Sequence, residues 1–389
     1  MRETICQIRA SVVRGGGADY HDQAASHWIV GQIATPMSVY PDYRPSRTSF
    51  GIDALGTVVV EVEDEAGRVG VGLSTGGVPA AYIVAHHLNR FVLGRDPSQR
   101  ELIWDQMYRS SVFYGRKGVA VNAISAVDLA LWDLFARQRD MPVYALLGGP
   151  VRTALPCYAT GPNPEWAVGE GFVGGKLPLV HGPAEGTPGL RANVERFAAA
   201  RAAVGPDALL MLDCWMALDL PYALRLVEAL HPLGLYWIEE AFLPDDYWAY
   251  RDLRRRLPPG VRVAAGEHEW TRYGFRLLLD FEAVDVVQPD VNWCGGLTEL
   301  IRIAALADAR GLPVIPHGSS VYSYHFAASR PSTTLSEFLM MHPTASAVVP
   351  MFAPLLLGEP VPEKGVVTLT DRPGFGVELN PAVPRTVVE

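Results

Sequence analysis

The feature that most constrains this chain is a rhythm that runs from about residue 146 to residue 345. Eight short apolar runs occur there: LPCYATG, FVGGKLP, LLMLDCW, LYWIEE, VRVAAGEHE, AVDVVQPD, PVIPHG and SEFLMM. Segments of helical periodicity separate most of them, including LRANVERFAAARAAV, PYALRLVEALHP and GLTELIRIAALADARG. Six successive runs carry an ionisable residue at or near their ends: Asp213, Glu239, Glu267, Asp290, His317 and Glu337. Subtracting their numbers gives spacings of 26, 28, 23, 27 and 20 residues, each the length of one strand, one helix and two short loops. Parallel strands need crossovers of this length. Eight such units close into a (β/α)8-type, or modified TIM, barrel whose active site gathers at the carboxyl ends of the strands. An open doubly wound sheet is the rival α/β architecture. It would not call for polar groups at nearly every strand end, so the barrel is the expected fold.

The flanking segments read differently. Residues 4–13 alternate as a strand, and GTVVVEVEDEAGRVGVGLST alternates twice around EDEAGR, whose Gly67 suits a hairpin turn. Helical patterns follow, and in VNAISAVDLALWDLFARQRD the residues Ile124, Val127, Leu131, Leu134 and Phe135 share one face. Residues 1–145 are thus expected to form an α+β capping domain, and 146–345 the catalytic barrel. Residues 346–389, which hold the strand-like pieces GVVTLT and GVELN, are expected to pack back on the cap and complete it. Between about Arg14 and Arg47 the periodicity fails, and the aromatics and histidines of that stretch suit a substrate lid.

The strand-end residues carry the chemistry. For any one acid, a helix cap or a junction salt bridge is the simpler reading. Asp213, Glu239 and Glu267 together at one barrel mouth would repel each other, and a divalent cation removes that cost. An all-oxygen set without Cys or His suits a hard ion such as Mg2+. Strand alternation implies that Glu239 and Glu240 cannot both point inward. Asp290 and His317 end consecutive strands, the arrangement of a carboxylate-oriented histidine base. His317 and His268 belong to no HExxH or CxxC spacing, so zinc is not favoured. Lys176 reads as a neutraliser of a substrate carboxylate, a second base or an exposed lysine. Glu337 reads as a junction salt bridge or, if protonated, as a donor to an oxyanion. His21 and Arg47 lie in the lid, where Arg suits bidentate carboxylate recognition.

Composition excludes several other classes. A net charge of −9 without a basic run argues against a nucleic-acid or anionic-membrane partner. No continuous apolar run approaches the ~18 residues of a membrane span. Four cysteines without a CxxC pair fit a reducing compartment, so a cytoplasmic location is expected. No GxGxxG opens a helix after a strand, which disfavours a nicotinamide enzyme.

The ALWDL helix, LLMLDCW, WIEE, GEHE, QPD, PHGSS and PGFGVELN together resemble the enolase superfamily, and the His–Asp pair resembles its mandelate racemase subgroup. DYHDQAASHW, ATPMS, GGKLPLVHGPAEG, DVNWCGGLTE and PHGSSVYSYH are similar to the L-rhamnonate dehydratase group within it. The resemblance implies Asp213, Glu239 and Glu267 as Mg2+ ligands, His317 as base and Asp290 as its partner. It implies Glu337 as enolate stabiliser, and His21 and Arg47 as contacts to the sugar acid, with Lys176 and His268 also counted among the substrate-contacting candidates. It further implies an acid-sugar dehydratase working as a homo-oligomer. Many members of the subgroup carry Lys-x-Lys where this chain has Lys176-x-Pro178, which argues against two-base racemisation. A dehydratase or epimerase for another acid sugar, or a barrel that binds such acids without catalysis, are the alternatives.

Overall fold

The computed structural model describes residues 3–13, 26–31, 33–44, 51 and 54–389. The cap begins with strands β1 (Ile5–Val13), β2 (Thr57–Asp64) and β3 (Val69–Thr75), paired antiparallel in sequence order. The β2–β3 turn is closed by Asp64, whose Oδ1 accepts from Ala66 N and Arg68 N at 3.0 and 2.9 Å, with Gly67 at φ +78°. The helix Val119–Gln138 packs on this sheet. Two glycines of β3 make the contact possible: a Cβ on Gly70 or Gly72 would lie 2.2 or 2.0 Å from a helix carbonyl oxygen, of Ala130 or Ala126. By composition this helix is apolar enough to cross a membrane, with mean hydropathy 1.6, yet it is buried between the sheet and the barrel.

Its far side docks on the barrel through polar contacts. Asp128 accepts from Thr298 N at 2.9 Å, Trp132 Nε1 donates to Thr298 Oγ1 at 2.9 Å, and Ser125 Oγ accepts from Gly295 N at 2.9 Å. From the neighbouring helix Arg100–Ser111, Trp104 Nε1 donates to the Gly295 carbonyl at 2.7 Å.

The barrel strands are β4 (Ala154–Thr160), β5 (Gly174–Pro178), β6 (Leu209–Asp213), β7 (Leu235–Glu239), β8 (Arg262–Ala265), β9 (Val286–Val287) and β10 (Ser336–Leu339). They pair in the order β10-β4-β5-β6-β7-β8-β9, all parallel. The last strand therefore returns to the first. Val314 bridges Val287 in parallel and fills the eighth position, the PVIPH run. Inside, Tyr158, Met211, Trp237, Val286 and Ile315 form a packed layer beneath the mouth, so the barrel is a core and not a pore. The segment after the first barrel strand forms the short helix Pro164–Gly169.

Strands β11 (Leu356–Leu357), β12 (Val366–Thr368), β13 (Glu378–Leu379) and β14 (Thr386–Val387) complete the chain. The tail divides its contacts. Strand β14 pairs with β1 of the cap, but β12 pairs antiparallel with the start of β4, and β11 pairs with β13. Packing on the cap alone is thus only part of its role. The buried helix Val321–Ser329, for which the sequence offers no polar face, carries His325 into this seam. His325 Nδ1 accepts from Tyr144 N at 3.1 Å and Nε2 donates to the Phe375 carbonyl at 3.2 Å.

Two outcomes follow from these contacts. Gly72→Ala is expected to cost at least about 3 kcal/mol, the upper part of the range for overpacking, because only backbone could give way; urea unfolding measures it. Burial holds the His325 imidazole down at about 3, against an ordinary value of 6.5. The unfolded chain therefore takes up this proton below pH 6.5 and the folded one does not. The contribution is complete above pH 6.5 and is lost towards pH 3, on the order of 1.4 kcal/mol per pH unit. His325→Phe, which cannot titrate, is expected to flatten that acid slope in urea titrations while lowering stability at neutral pH.

Candidate active site

Pairing register brings the strand-end residues side by side. Pro178 lies opposite Asp213, Asp213 opposite Glu239, and Thr160 opposite Lys176. Glu267 follows β8 by two residues, and His317 closes the segment that begins with the Val314 bridge. The mouth of the barrel thus gathers Lys176, Asp213, Glu239, Glu267, Asp290, His317 and Glu337, all but Asp213 buried to 6% exposure or less.

Lys176 sits at the centre and is fully buried. Its Nζ is 3.3 Å from Asp213 Oδ2 and 2.8 Å from Glu337 Oε1, and it also pairs with Glu239 Oε1. The exposed-lysine alternative is therefore excluded. Burial opposes its charge, but the three carboxylates outweigh burial and hold the ammonium well above its usual range. Burial also pushes up Asp213 and Glu239; Lys176 opposes this and the neighbouring acids add to it. Glu239 Oε2 is further held by Trp237 Nε1 at 2.9 Å and Gln288 Nε2 at 3.0 Å.

His317 Nδ1 donates to Asp290 Oδ2 at 2.7 Å, and Nε2 lies 3.1 Å from Glu267 Oε2. Asn292 N donates to the other Asp290 oxygen at 2.6 Å and fixes the carboxylate. Burial lowers the imidazole, but Glu267, Glu337 and Asp290 outweigh it and push it up to about 10. Of the two roles that the sequence leaves open for Glu337, a junction salt bridge and a protonated donor, its contacts fit the salt bridge. Glu337 accepts from Lys176, from the Thr160 hydroxyl and from Gly318 N at 2.9 Å. Burial works against its charge, yet Lys176 and His317 bring it down to about 2. It is an ionised acceptor that ties the lysine to the His317 loop.

Glu240 has partners of its own, apart from those of Glu239. Its φ is +45°, and its carboxylate accepts from Gly266 N at 2.9 Å and approaches His268 Nδ1 at 3.2 Å. Glu239 and Glu240 are both buried. His268 also lies 3.3 Å from Glu267 Oε1, between the rings of Trp215 and Trp293. Trp215 Nε1 donates to Glu267 Oε1 at 3.1 Å, a contact that the sequence reading did not anticipate.

From the cap, Trp28, Ile29 and Ile33 reach the mouth. Trp28 Nε1 donates to the Met340 carbonyl at 2.7 Å, His27 Nε2 to that of Met341 at 3.0 Å, and Ala34 N to that of Leu179 at 2.8 Å. A cavity beneath them is lined by Trp28, Ile29, Ile33, Asp213, Glu267 and His317, among others. His21 and Arg47 lie outside the described residues.

The residues 34–148 match the family described as Mandelate racemase / muconate lactonizing enzyme, N-terminal domain, and residues 165–383 match Enolase C-terminal domain-like. This chain belongs to the enolase superfamily. Within its mandelate racemase subgroup, the chain is 61% identical over 379 residues to an L-rhamnonate dehydratase of Saccharopolyspora erythraea, covering 97% of both chains. A putative L-rhamnonate dehydratase of Caldivirga maquilingensis is 59% identical, over 97% of this chain and 94% of that one. Among solved structures, rhamnonate dehydratase from Gibberella zeae complexed with Mg superposes with TM-score 0.95 at 45% identity, over 98% of this chain and 95% of that one.

Enolase-superfamily membership implies Mg2+, and the donor set fits it. As the side chains stand, no three acids or histidines among the described residues converge closely enough to cage an ion. Lys176 lies between Asp213 and Glu239 as their counter-cation. The acids themselves are suited: three carboxylates at neighbouring strand ends, two of them pushed up by burial, offer hard oxygen ligands and a charge that a divalent cation relieves. Lys176→Met is expected to cost about 3–5 kcal/mol, as when one partner of a buried ion pair is removed. Urea unfolding in chelator measures the loss, and added Mg2+ is expected to restore part of it.

Proposed function

We propose that this enzyme is a Mg2+-dependent dehydratase that converts L-rhamnonate to 2-keto-3-deoxy-L-rhamnonate. The observation that carries the chemistry is the 2.7 Å bond from His317 Nδ1 to Asp290, which leaves Nε2 facing the carboxylate cluster. The substrate is taken from the curated relative that is 61% identical along the chain.

Asp213, Glu239 and Glu267 would hold the ion. When bound, Mg2+ supplies Lewis-acid charge for the substrate carboxylate and acidifies the C2 proton. Asp290 keeps the His317 proton on Nδ1, so that Nε2 is the basic nitrogen of the neutral ring. Glu267, 3.1 Å from Nε2, favours the protonated ring in the present arrangement; a Glu267 carboxylate engaged by a cation releases that hold. His317 then takes the C2 proton. The buried Lys176 ammonium places a fixed positive charge near the enediolate that forms, an effect of the oxyanion-hole kind. The C3 hydroxyl leaves as water with the proton from the His317 imidazolium, and the enol tautomerises to the 2-keto acid. Glu337 contributes by holding Lys176 and Gly318 in place. His268 is assigned to the substrate as well, a reading supported by its position between Trp215 and Trp293 with Glu240 behind it. His21 and Arg47 are assigned to the sugar-acid hydroxyls and carboxylate through the family resemblance alone. A cytoplasmic homo-oligomer is part of the same reading.

His317→Asn is expected to lower turnover by roughly 10²–10⁴-fold or more, the range for loss of a general acid–base group. Exchange of the C2 proton with deuterated solvent should disappear with it. Wild-type turnover in His317→Asn would remove the assigned base. Chelation is expected to stop keto-acid formation from L-rhamnonate and Mg2+ to restore it, and C2 exchange in the wild type would eliminate a barrel that only binds acids.

A further inference from the structure

The turn that carries His317 is held from two sides. On the barrel side, His317 N donates to the Pro289 carbonyl at 3.1 Å and Gly318 N to Glu337 Oε2 at 2.9 Å. Ser319 Oγ donates back to the His317 carbonyl at 3.3 Å. Ser320 ends the turn and precedes the buried helix Val321–Ser329. Its backbone, at φ +48° and ψ −131°, is one that a residue with a Cβ adopts only at a cost. A serine in that place normally accepts from an amide of the first helical turn. Ser320 does not cap its helix. Its hydroxyl donates instead to Glu359 Oε1, from the tail. The strained backbone and the forgone cap thus coincide with one bond to the far end of the chain.

Glu359 is firmly placed to receive that bond. Its Oε1 also accepts from Met351 N and its Oε2 from Phe352 N, each at 2.9 Å. Phe352 in turn packs edge-on to Tyr322 of the same helix, with 6.1 Å between ring centres. Among the described residues no basic side chain pairs with this carboxylate, so hydrogen-bond donors hold it, and of these the Ser320 hydroxyl leads to the site.

Resting on the reading above of His317 as the base, we propose that Glu359 is a positioning residue: through Ser320 it fixes the turn 317–320 and the direction in which His317 Nε2 faces the substrate. Asp290 sets the tautomer and the tilt of the ring, but the backbone beneath the ring must also stay in place. The barrel bonds hold the start of the turn, and the Glu359–Ser320 bond holds its end. Without that bond, less opposes relaxation of Ser320 to negative φ. Such a relaxation redirects the chain that runs back through Ser319 and Gly318 to His317. Proton abstraction is sensitive to this, since a misplacement of about 1 Å can cost roughly 10²-fold in rate.

The test uses the Mg2+-loaded full chain and L-rhamnonate. Ser320→Ala removes the bond and keeps the Cβ; its kcat is expected to fall roughly ten- to a hundredfold while KM stays within about twofold of wild type. Ser320→Gly also removes the bond, but glycine takes the same φ freely, so its kcat is expected to stay close to wild type. Glu359→Gln, whose amide offers the Ser320 hydroxyl a partner in either orientation, is expected to keep most of the turnover, and Glu359→Ala to lose it as Ser320→Ala does. Melting curves establish which variants are folded, and the two Ser320 variants suffice if Glu359→Ala is not. A folded Ser320→Ala with wild-type kcat overturns the proposal, as does a Ser320→Gly as slow as Ser320→Ala. Should the wild type turn over no L-rhamnonate, that reading fails by itself. Crystal structures of wild type and Ser320→Ala then decide the positioning: a His317 ring displaced from Asp290 in the variant supports it, and an unmoved ring overturns it.

Discussion

One buried ammonium holds the mouth of this barrel together. Lys176 extends from β5 to carboxylates that end β6 and β7 and to one on β10, so a single charge ties four strands. Without a cation, these desolvated acids would repel one another and take up protons. The consequences spread outward from that point. Glu337, kept ionised by Lys176, also grips Thr160 and the backbone of Gly318, which follows His317 directly. The orientation of the base therefore depends on a lysine two strands beyond Glu337 in the ring. Asp290, fixed by Asn292 N, supplies the second restraint on the same ring.

Much of this was legible in the sequence because it is periodic. Barrel strands are short apolar runs at nearly constant spacing, and their ends are where one polar residue interrupts them. Asp213, Glu239, Glu267, Asp290, His317 and Glu337 stood out for that reason, and the structure gathers them at one end. What periodicity could not reveal depends on departures from it. Glu240 takes up Gly266 N and His268, partners that no alternation rule names. The state of Glu337 follows from partners 161 and 19 residues away, Lys176 and Gly318, and so from closure of the ring. The helix Val321–Ser329 is buried on all sides and lacks the amphipathic signal that marks surface helices. The GVVTLT piece was readable as a strand, but its pairing with β4 was not, since nothing local names a partner.

The cap and the barrel meet through different kinds of contact at different places. Behind the site, Trp132, Asp128, Ser125 and Trp104 form hydrogen bonds to the start of the helix Gly296–Asp308, and these set the angle of the cap. Over the site, Trp28 and His27 reach the backbone after β10, and Ala34 that after β5. The first set is buried among large side chains, whereas the second consists of single bonds to carbonyls at the rim. Side chains that line the cavity from above are thus held by a few directional contacts on a frame fixed elsewhere, so their identities can change without disturbing how the two parts dock.

The pairing of β14 with β1 carries a consequence for the order of assembly. Ser11 meets Val387 across 376 residues of chain, and the cap sheet has no closed edge at β1 until that contact forms. The entropic cost of so long a loop is modest, since each doubling of length adds only about 0.6 kcal/mol. Its cost in time is larger, because distant segments must find each other after local structure has set. During synthesis β1 is made before the barrel and β14 after it, so β1 waits with unpaired backbone groups on one side while the barrel is translated. An exposed strand edge of this kind is a template for other chains. Arg9 and Glu63 pair across the β1–β2 ribbon, so the strand that bears this edge also carries charge.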